Sequence, residues 1–257
     1  MYLRAVHSDA TLAELRLLIR SNPLGILTTA IASKSYPKIL SSHIPFILDD
    51  PATSDKDDFG ILRGHLARAN PQTKTMIDEV KSRTTNSIAT YLEEEVLVLF
   101  TSSTQHYVTP KFYTSTKPDT GKVVPTWNYA GAQVYGRAKI FYDAKSEETN
   151  AFLSKQIDDL SKHAESSLMG FDGQNGRQKA WGVSDAPVNY IEQMKKAIIG
   201  IEIKIDRLEG KFKMSQELAD GDRDGTVEGF QNLGTGAGEE MARLVEERGR
   251  LKKNRGS

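Results

Sequence analysis

The chain contains no cysteine, which excludes disulfides, thiolate nucleophiles and zinc sites of the cysteine type. It has no excess of either charge: 34 lysines and arginines balance 34 aspartates and glutamates. A chain-wide attraction to nucleic acid therefore has no basis, although a local basic patch remains open. Long apolar runs are missing too. The first stretch, "MYLRAVHSDATLAELRLLIRSNP", carries Arg4, Glu14, Arg16 and Arg20, too much charge for a signal peptide or a membrane span. No membrane association is expected, and the expected location is the cytoplasm, with the nucleus as the alternative. His7, His43, His65, His106 and His163 are too scattered to predict a metal site. No P-loop, GxGxxG or GxSxG motif occurs.

What is present is a series of short apolar runs in a chain of 257 residues, long enough to bury a sizeable core. Thr11 to Arg20 reads as a helix with Leu12, Leu15, Leu18 and Ile19 on one face, opened by Thr11 and Glu14 at capping-box spacing and ended by Asn22-Pro23. "LGILTTAI", "PKILSSHIPFIL", "GILRGHLA", "EVLVLFTS" and "TWNYAGAQVYGRAKIFYD" read as strands, the last with a bulge expected near Gly131 or Gly136. "IIGIEIKIDRLEG" alternates strictly, with Ile199, Ile201, Ile203 and Ile205 on one face. Helices are expected after Asn70-Pro71, from about residue 146 and over "APVNYIEQMKKAI". Five or six strands with few crossover helices predict a mainly β antiparallel barrel with peripheral helices, α+β in class, built as one domain. The Gly-flanked, charged segment from Leu233 onward reads as a frayed helix or a disordered tail.

Four stretches carry candidate chemistry. In "LRGHLARANP", strand alternation puts Arg63 and His65 on one face and Leu62, Gly64 and Leu66 on the other. Arg68 follows, and Asn70 caps the next helix. Guanidinium groups beside a helix N-terminus make an anion site suited to phosphate, and Gly64 leaves room for a planar ligand or another backbone. On residue types alone the cluster reads equally well as a solvated edge strand whose arginines pair with acidic neighbours. In "SSHIPF", Ser42 lies on the face of Leu40 and Ile44, His43 lies opposite, and Pro45 requires an edge or a bulge. His43 reads as a pocket-wall group or as a structural histidine. In "KVVPTWNYAG", Trp127 shares a face with Tyr129 and Asn128 points the other way. In "LEGKFKMSQ", Lys211, Lys213, Ser215 and Gln216 follow the last strand as a polar turn.

The succession "HIPF", "LRGHLARANP", "KVVPTWNY", "WGVSDAP", "AIIGIEIKIDRLEGKFKMSQ" and "GDRDG" resembles the PaiB-type FMN-binding negative transcriptional regulators, a family of the FMN-binding split-barrel superfamily. The resemblance runs from about Met1 to Phe230. It implies a six-stranded antiparallel Greek-key split β-barrel over residues 1–232, followed by a charged tail over 233–257. It also implies a homodimer with FMN at its interface. Carried onto this sequence, Arg63, His65, Arg68 and the helix capped by Asn70 would bind the FMN phosphate, with Gly64 beside them. Ser42 and His43 would line the adjoining wall, and Trp127 and Asn128 would approach the flavin. Lys213, Ser215 and Gln216 complete the implied cofactor set. The segments 49–60, 81–95 and 162–178 look like insertions into the bacterial pattern. No residue reads as a dedicated general acid or base, so the catalytic residues stay unassigned. Three function classes follow: flavin-dependent oxidoreductase-type activity on an unidentified small molecule, a metabolite-sensing or negative transcriptional regulator without its own catalysis, and a haem-binding split barrel. The lack of a helix-turn-helix and the balanced charge argue against direct nucleic-acid binding.

Overall fold

The computed structural model describes residues 1–8, 10–51, 58–83 and 90–255. In chain order its elements are α1 (Leu12–Ser21), β1 (Leu24–Ala30), β2 (Ile39–Pro45), β3 (Ile47–Asp49), β4 (Ile61–Ala67), α2 (Pro71–Arg83), β5 (Val96–Thr101), β6 (His106–Val108), α3 (Thr116–Thr120), β7 (Thr126–Phe141), α4 (Glu147–His163), α5 (Val188–Lys196), β8 (Ile198–Lys213), α6 (Asp220–Gln231) and α7 (Gly236–Arg255). The capping box of α1 forms as the sequence predicts. Thr11 N–H donates to Glu14 Oε2 at 2.7 Å, and Glu14 N–H donates to Thr11 Oγ1 at 3.2 Å.

The strands pair as β2-β1-β5-β7-β8-β4-β3, with β6 beside β7. Every strand pair with a described register is antiparallel. The class is the expected one, mainly β and antiparallel with helices outside the sheet, but with eight strands among the described residues rather than six. One extra strand is β3, the end of the predicted "PKILSSHIPFIL" run split off at Phe46, and the other is the three-residue β6, too short for a period-2 pattern to register. β2 is an edge strand, where Pro45, lacking an N–H, breaks no ladder.

The chain divides into two units. The larger comprises residues 19–100 and 133–208. Its core is built from Leu27, Phe46, Leu62, Val98, Phe100 and the β8 isoleucines. Ile199, Ile201, Ile203 and Ile205 are each at most 1% exposed, as strict alternation requires of a strand with one face on a core. Each such side chain contributes about 1.5–3 kcal/mol by burial.

The smaller unit comprises residues 1–18, 101–132 and 209–257. It holds two departures from the sequence reading. Helix α6 goes unpredicted because Gly221, Gly225 and Gly229 remove the apolar periodicity. Their stripe lets the segment Phe112–Ser115 approach closely: a Cβ at Gly225 would sit 2.3 Å from the Phe112 carbonyl oxygen. The segment after Leu233 is not a frayed end but the twenty-residue helix α7, packed on α6 with Met241, Ala242 and Val245 buried. Gly238, one of the glycines of that segment, is a contact point: a Cβ there would lie 2.5 Å from the Phe230 carbonyl oxygen. Of the predicted insertions, 52–57 and 84–89 lie outside the described residues. The segment 162–178 ends α4 in one π-helical turn, Ala164–Leu168, and continues as loop.

Candidate functional site

β4 separates its residues as alternation predicts, but the two arginines of "LRGHLARANP" go to different ends. On the inner face Leu62 and Leu66 are buried. Gly64 serves that core: a Cβ there would lie 2.9 Å from the Phe46 ring, so the missing side chain makes room for Phe46 rather than for a ligand. The outer face is covered by α4. Arg63 is only 4% exposed and is enclosed by carboxylates. Its Nε donates to Asp49 Oδ2 at 2.5 Å, its Nη2 to Asp49 Oδ1 at 2.8 Å and Asp159 Oδ2 at 2.7 Å, and its Nη1 to Gln156 Oε1 at 3.2 Å. Burial opposes ionisation of Asp159, but hydrogen bonds from Lys155 and Arg63 outweigh it and hold that carboxyl below its ordinary range. The pairing with acidic neighbours is therefore the one the sequence left open, although it is buried under α4 and not solvated. Four of the five guanidinium N–H donors are spent, so a phosphate here would have to displace a carboxylate.

His65, on the same outer face, is the less buried of the two. Its Nδ1 is sealed from solvent and has no partner among the described residues, and burial pushes the imidazole below its ordinary pKa. Arg68 lies past the end of the strand and is half-buried. Its Nη2 donates to the carbonyls of Tyr142 at 2.8 Å and Ile198 at 3.3 Å, its Nε to that of Lys196 at 3.2 Å, and its backbone N–H to Ala197 O at 2.8 Å. These contacts with neutral carbonyls orient the guanidinium without neutralising it. Nη1 makes no hydrogen bond among the described residues.

Asn70 and Pro71 begin α2 as expected. Asn70 Oδ1 accepts from the Gln72 N–H at 2.8 Å, and its Nδ2 donates to Ser42 Oγ at 2.9 Å. Ser42 on β2 is thus joined to the helix start, while His43 is exposed on the edge strand, opposite Ile26. Two groups escaped the sequence reading. Gln72 Nε2 donates to Leu27 O, Thr29 Oγ1 and Leu40 O at 3.0–3.1 Å, which leaves its buried Oε1 without a partner. The Thr73 hydroxyl is also buried and partnerless. The signal available in sequence is their position, directly after the Asn-Pro cap, where backbone N–H groups are unpaired.

The remaining predicted residues belong to the smaller unit. Trp127 is 48% exposed, edge-on to Tyr107, with its Nε1 donating to Gln105 Oε1 at 3.2 Å. Asn128 is fully buried and exchanges hydrogen bonds with Ser215 at 2.9 and 3.2 Å. Ser215 itself has φ of 60°, in the left-handed region. Gln216 holds the Met214 N–H at 2.6 Å and donates to Val6 O at 3.1 Å and to Phe212 O. Asn128, Ser215 and Gln216 fix the turn after β8 and have no exposed polar edge. Lys213 donates to Thr126 Oγ1 and to Trp127 O at 3.0 Å, and stands 3.5 Å from Glu217. Burial works against Glu217 ionisation, but hydrogen bonds from its own N–H and from His7 hold its carboxyl below the ordinary range. Among the described residues no three His, Asp or Glu side chains gather as a metal site, and no helix is long and apolar enough to cross a membrane.

Residues 1–207 match the family described as "Putative FMN-binding domain". An uncharacterized protein of Emericella nidulans is 58% identical over 254 residues, covering 98% of this chain and 99% of its own length. The Bacillus subtilis protease synthase and sporulation protein PAI 2 is 25% identical over 249 residues, covering 96% of this chain and 98% of its own. Among solved structures, the conserved hypothetical protein Rv2991 of Mycobacterium tuberculosis superposes with a TM-score of 0.47 at 13% identity, over 85% of this chain and 94% of its own. That superposition is too loose to carry function.

Proposed function

The chain belongs to the family of FMN-binding domains, and from that premise we propose that it binds FMN with the phosphate at the corner formed by Arg68, Asn70 and the start of α2. The observation that carries this placement is the state of Arg68. Neutral carbonyls hold its guanidinium in position, no carboxylate among the described residues pairs with it, and one nitrogen is left for an anion. A helix N-terminus lies three residues on. Ser42 fixes Asn70, and through it the cap. Arg63 and Gly64 leave the cofactor set: the first anchors α4 to the sheet, the second accommodates Phe46. Asn128, Ser215 and Gln216 act as positioning residues for the end of β8, where Lys213 and Trp127 remain outward.

Bound FMN supplies one- and two-electron redox chemistry; the chain binds it, orients it and sets the polarity around it. We therefore assign oxidoreductase-type activity on a small molecule, in a homodimer. A regulator acting through a partner is the second reading, favoured by the name of the Bacillus relative, which refers to protease synthesis and sporulation. Haem ranks behind both.

The test begins with the absorption spectrum of the purified protein, which separates flavin bands from a Soret band. A fluorescence titration then measures the FMN Kd of wild type and Arg68→Ala, with light scattering giving the mass of the loaded protein. One lost charge-assisted contact is worth about 1.5–3 kcal/mol, so the variant should bind FMN roughly 10-fold more weakly or worse. Wild type without FMN affinity would overturn the cofactor assignment. An unchanged Arg68→Ala affinity would overturn the phosphate placement alone.

A further inference from the structure

Lys211 lies near the end of β8 in the smaller unit, and only 8% of it is exposed. No carboxylate, carbonyl or hydroxyl among the described residues bonds its ammonium. What surrounds it is aromatic: the nitrogen is 5.4 Å from the centre of the Tyr129 ring and 6.0 Å from that of Tyr2. Contacts of that length offset only part of the cost of desolvating an ammonium group. Lys213, two residues on and on the same strand face, is the contrast, since it is held by Thr126, the Trp127 carbonyl and Glu217. The sealed, partnerless nitrogens of this unit include His7 Nδ1 and Arg248 Nη1 but not Lys211, whose ammonium therefore keeps a route to solvent. A nearly buried cation that solvent can reach and no carboxylate neutralises is suited to receive an anion from outside the chain. On the strand face of β7 that carries Tyr129, Trp127 is 48% exposed and stands edge-on to Tyr107, itself 44% exposed, and the two rings provide flat apolar surface.

We propose that this face of β7 and β8 is an anion subsite in which the Lys211 ammonium pairs with a carboxylate or phosphate group, while the flat part of the same ligand lies against Tyr129 and Trp127. It does not depend on the placement of FMN at Arg68. The anion comes either from a second, aromatic acid-type ligand or from the FMN phosphate itself, in which case the phosphate placement at Arg68 falls.

The full chain, Lys211→Met and Lys211→Arg are titrated with FMN, riboflavin, benzoate and inorganic phosphate. Ionic strength is held constant with chloride, and tryptophan fluorescence and thermal shift are followed. Wild type should bind at least one of the three anions saturably. Lys211→Met should weaken that binding 10-fold or more, and Lys211→Arg should retain most of it. The ligand-free melting temperature of Lys211→Met should stay level or rise, because an unpaired buried charge has gone. Loss of FMN affinity with riboflavin binding unchanged identifies the FMN phosphate as the anion. Unchanged FMN binding with benzoate or phosphate binding lost on the FMN-loaded protein identifies a second ligand. Wild type that responds to none of the anions, or Lys211→Met that binds each of them like wild type, overturns the proposal. If wild type fails to bind FMN but still binds benzoate or phosphate through Lys211, the FMN reading falls and this one stands.

Discussion

Removing the carboxylates around Arg63 should cost more stability than removing Arg63. Asp49 supplies two charge-assisted hydrogen bonds, at 2.5 and 2.8 Å, and Asp159 supplies one at 2.7 Å. Each is worth about 1.5–3 kcal/mol at full burial. The side chains of Asp49 and Asp159 are 38% and 30% exposed, however, whereas that of Arg63 is 5% exposed. When Arg63→Met removes the cation, both carboxylates can rehydrate and the methionine fills much of the space left by the arginine stem, so the expected loss is about 1–2 kcal/mol. When Asp49→Ala and Asp159→Ala are combined, the guanidinium stays under α4 with Gln156 as its one remaining hydrogen-bond partner among the described residues and with the half-buried Glu202 across the strand pair, and the expected loss is about 3–5 kcal/mol. Adding Arg63→Met to that pair should recover part of the loss. Urea unfolding of all four proteins measures the order through the midpoint at constant m. The reasoning is refuted if Arg63→Met proves costlier than the double aspartate variant, or if the three changes are simply additive.

His65 gives a pH test. Its folded pKa is depressed by burial, so below about pH 6.5 the unfolded chain takes up a proton that the folded chain resists. Cofactor-free wild type should therefore lose stability as pH falls from about 7.5 to 5.5, relative to His65→Gln. Parallel melting-temperature profiles would contradict this. A truncation ending at Leu233 should lower the melting temperature by several degrees or prevent folding of the smaller unit. It removes Met241 and Val245, both fully buried, and the Arg248 contacts to Glu14 at 2.8 Å and to the Phe212 ring. An unchanged melting temperature would show that α7 contributes nothing to the fold.

Local pattern determined much of this protein on its own. The capping pair Thr11 and Glu14, the Asn70-Pro71 helix start, the alternating isoleucines of β8 and the edge position of Pro45 each depend on neighbours a few residues apart, which is the range over which sequence speaks directly. The order of six short motifs added the family. Tertiary structure alone decided what each polar group faces. Arg63 and Arg68 have the same chemistry five residues apart. Only the packing of α4 across β4 gives the first two carboxylates and leaves the second on neutral carbonyls. Glycines show the same division: those of α6 and α7 hide the helices from a sequence reading, because sequence reports the backbone freedom of glycine but not the atom that would collide with its missing Cβ. Lys211 passed as one charge in a polar turn, since a counter-charge is supplied or withheld by residues distant in sequence, and no local pattern encodes its absence.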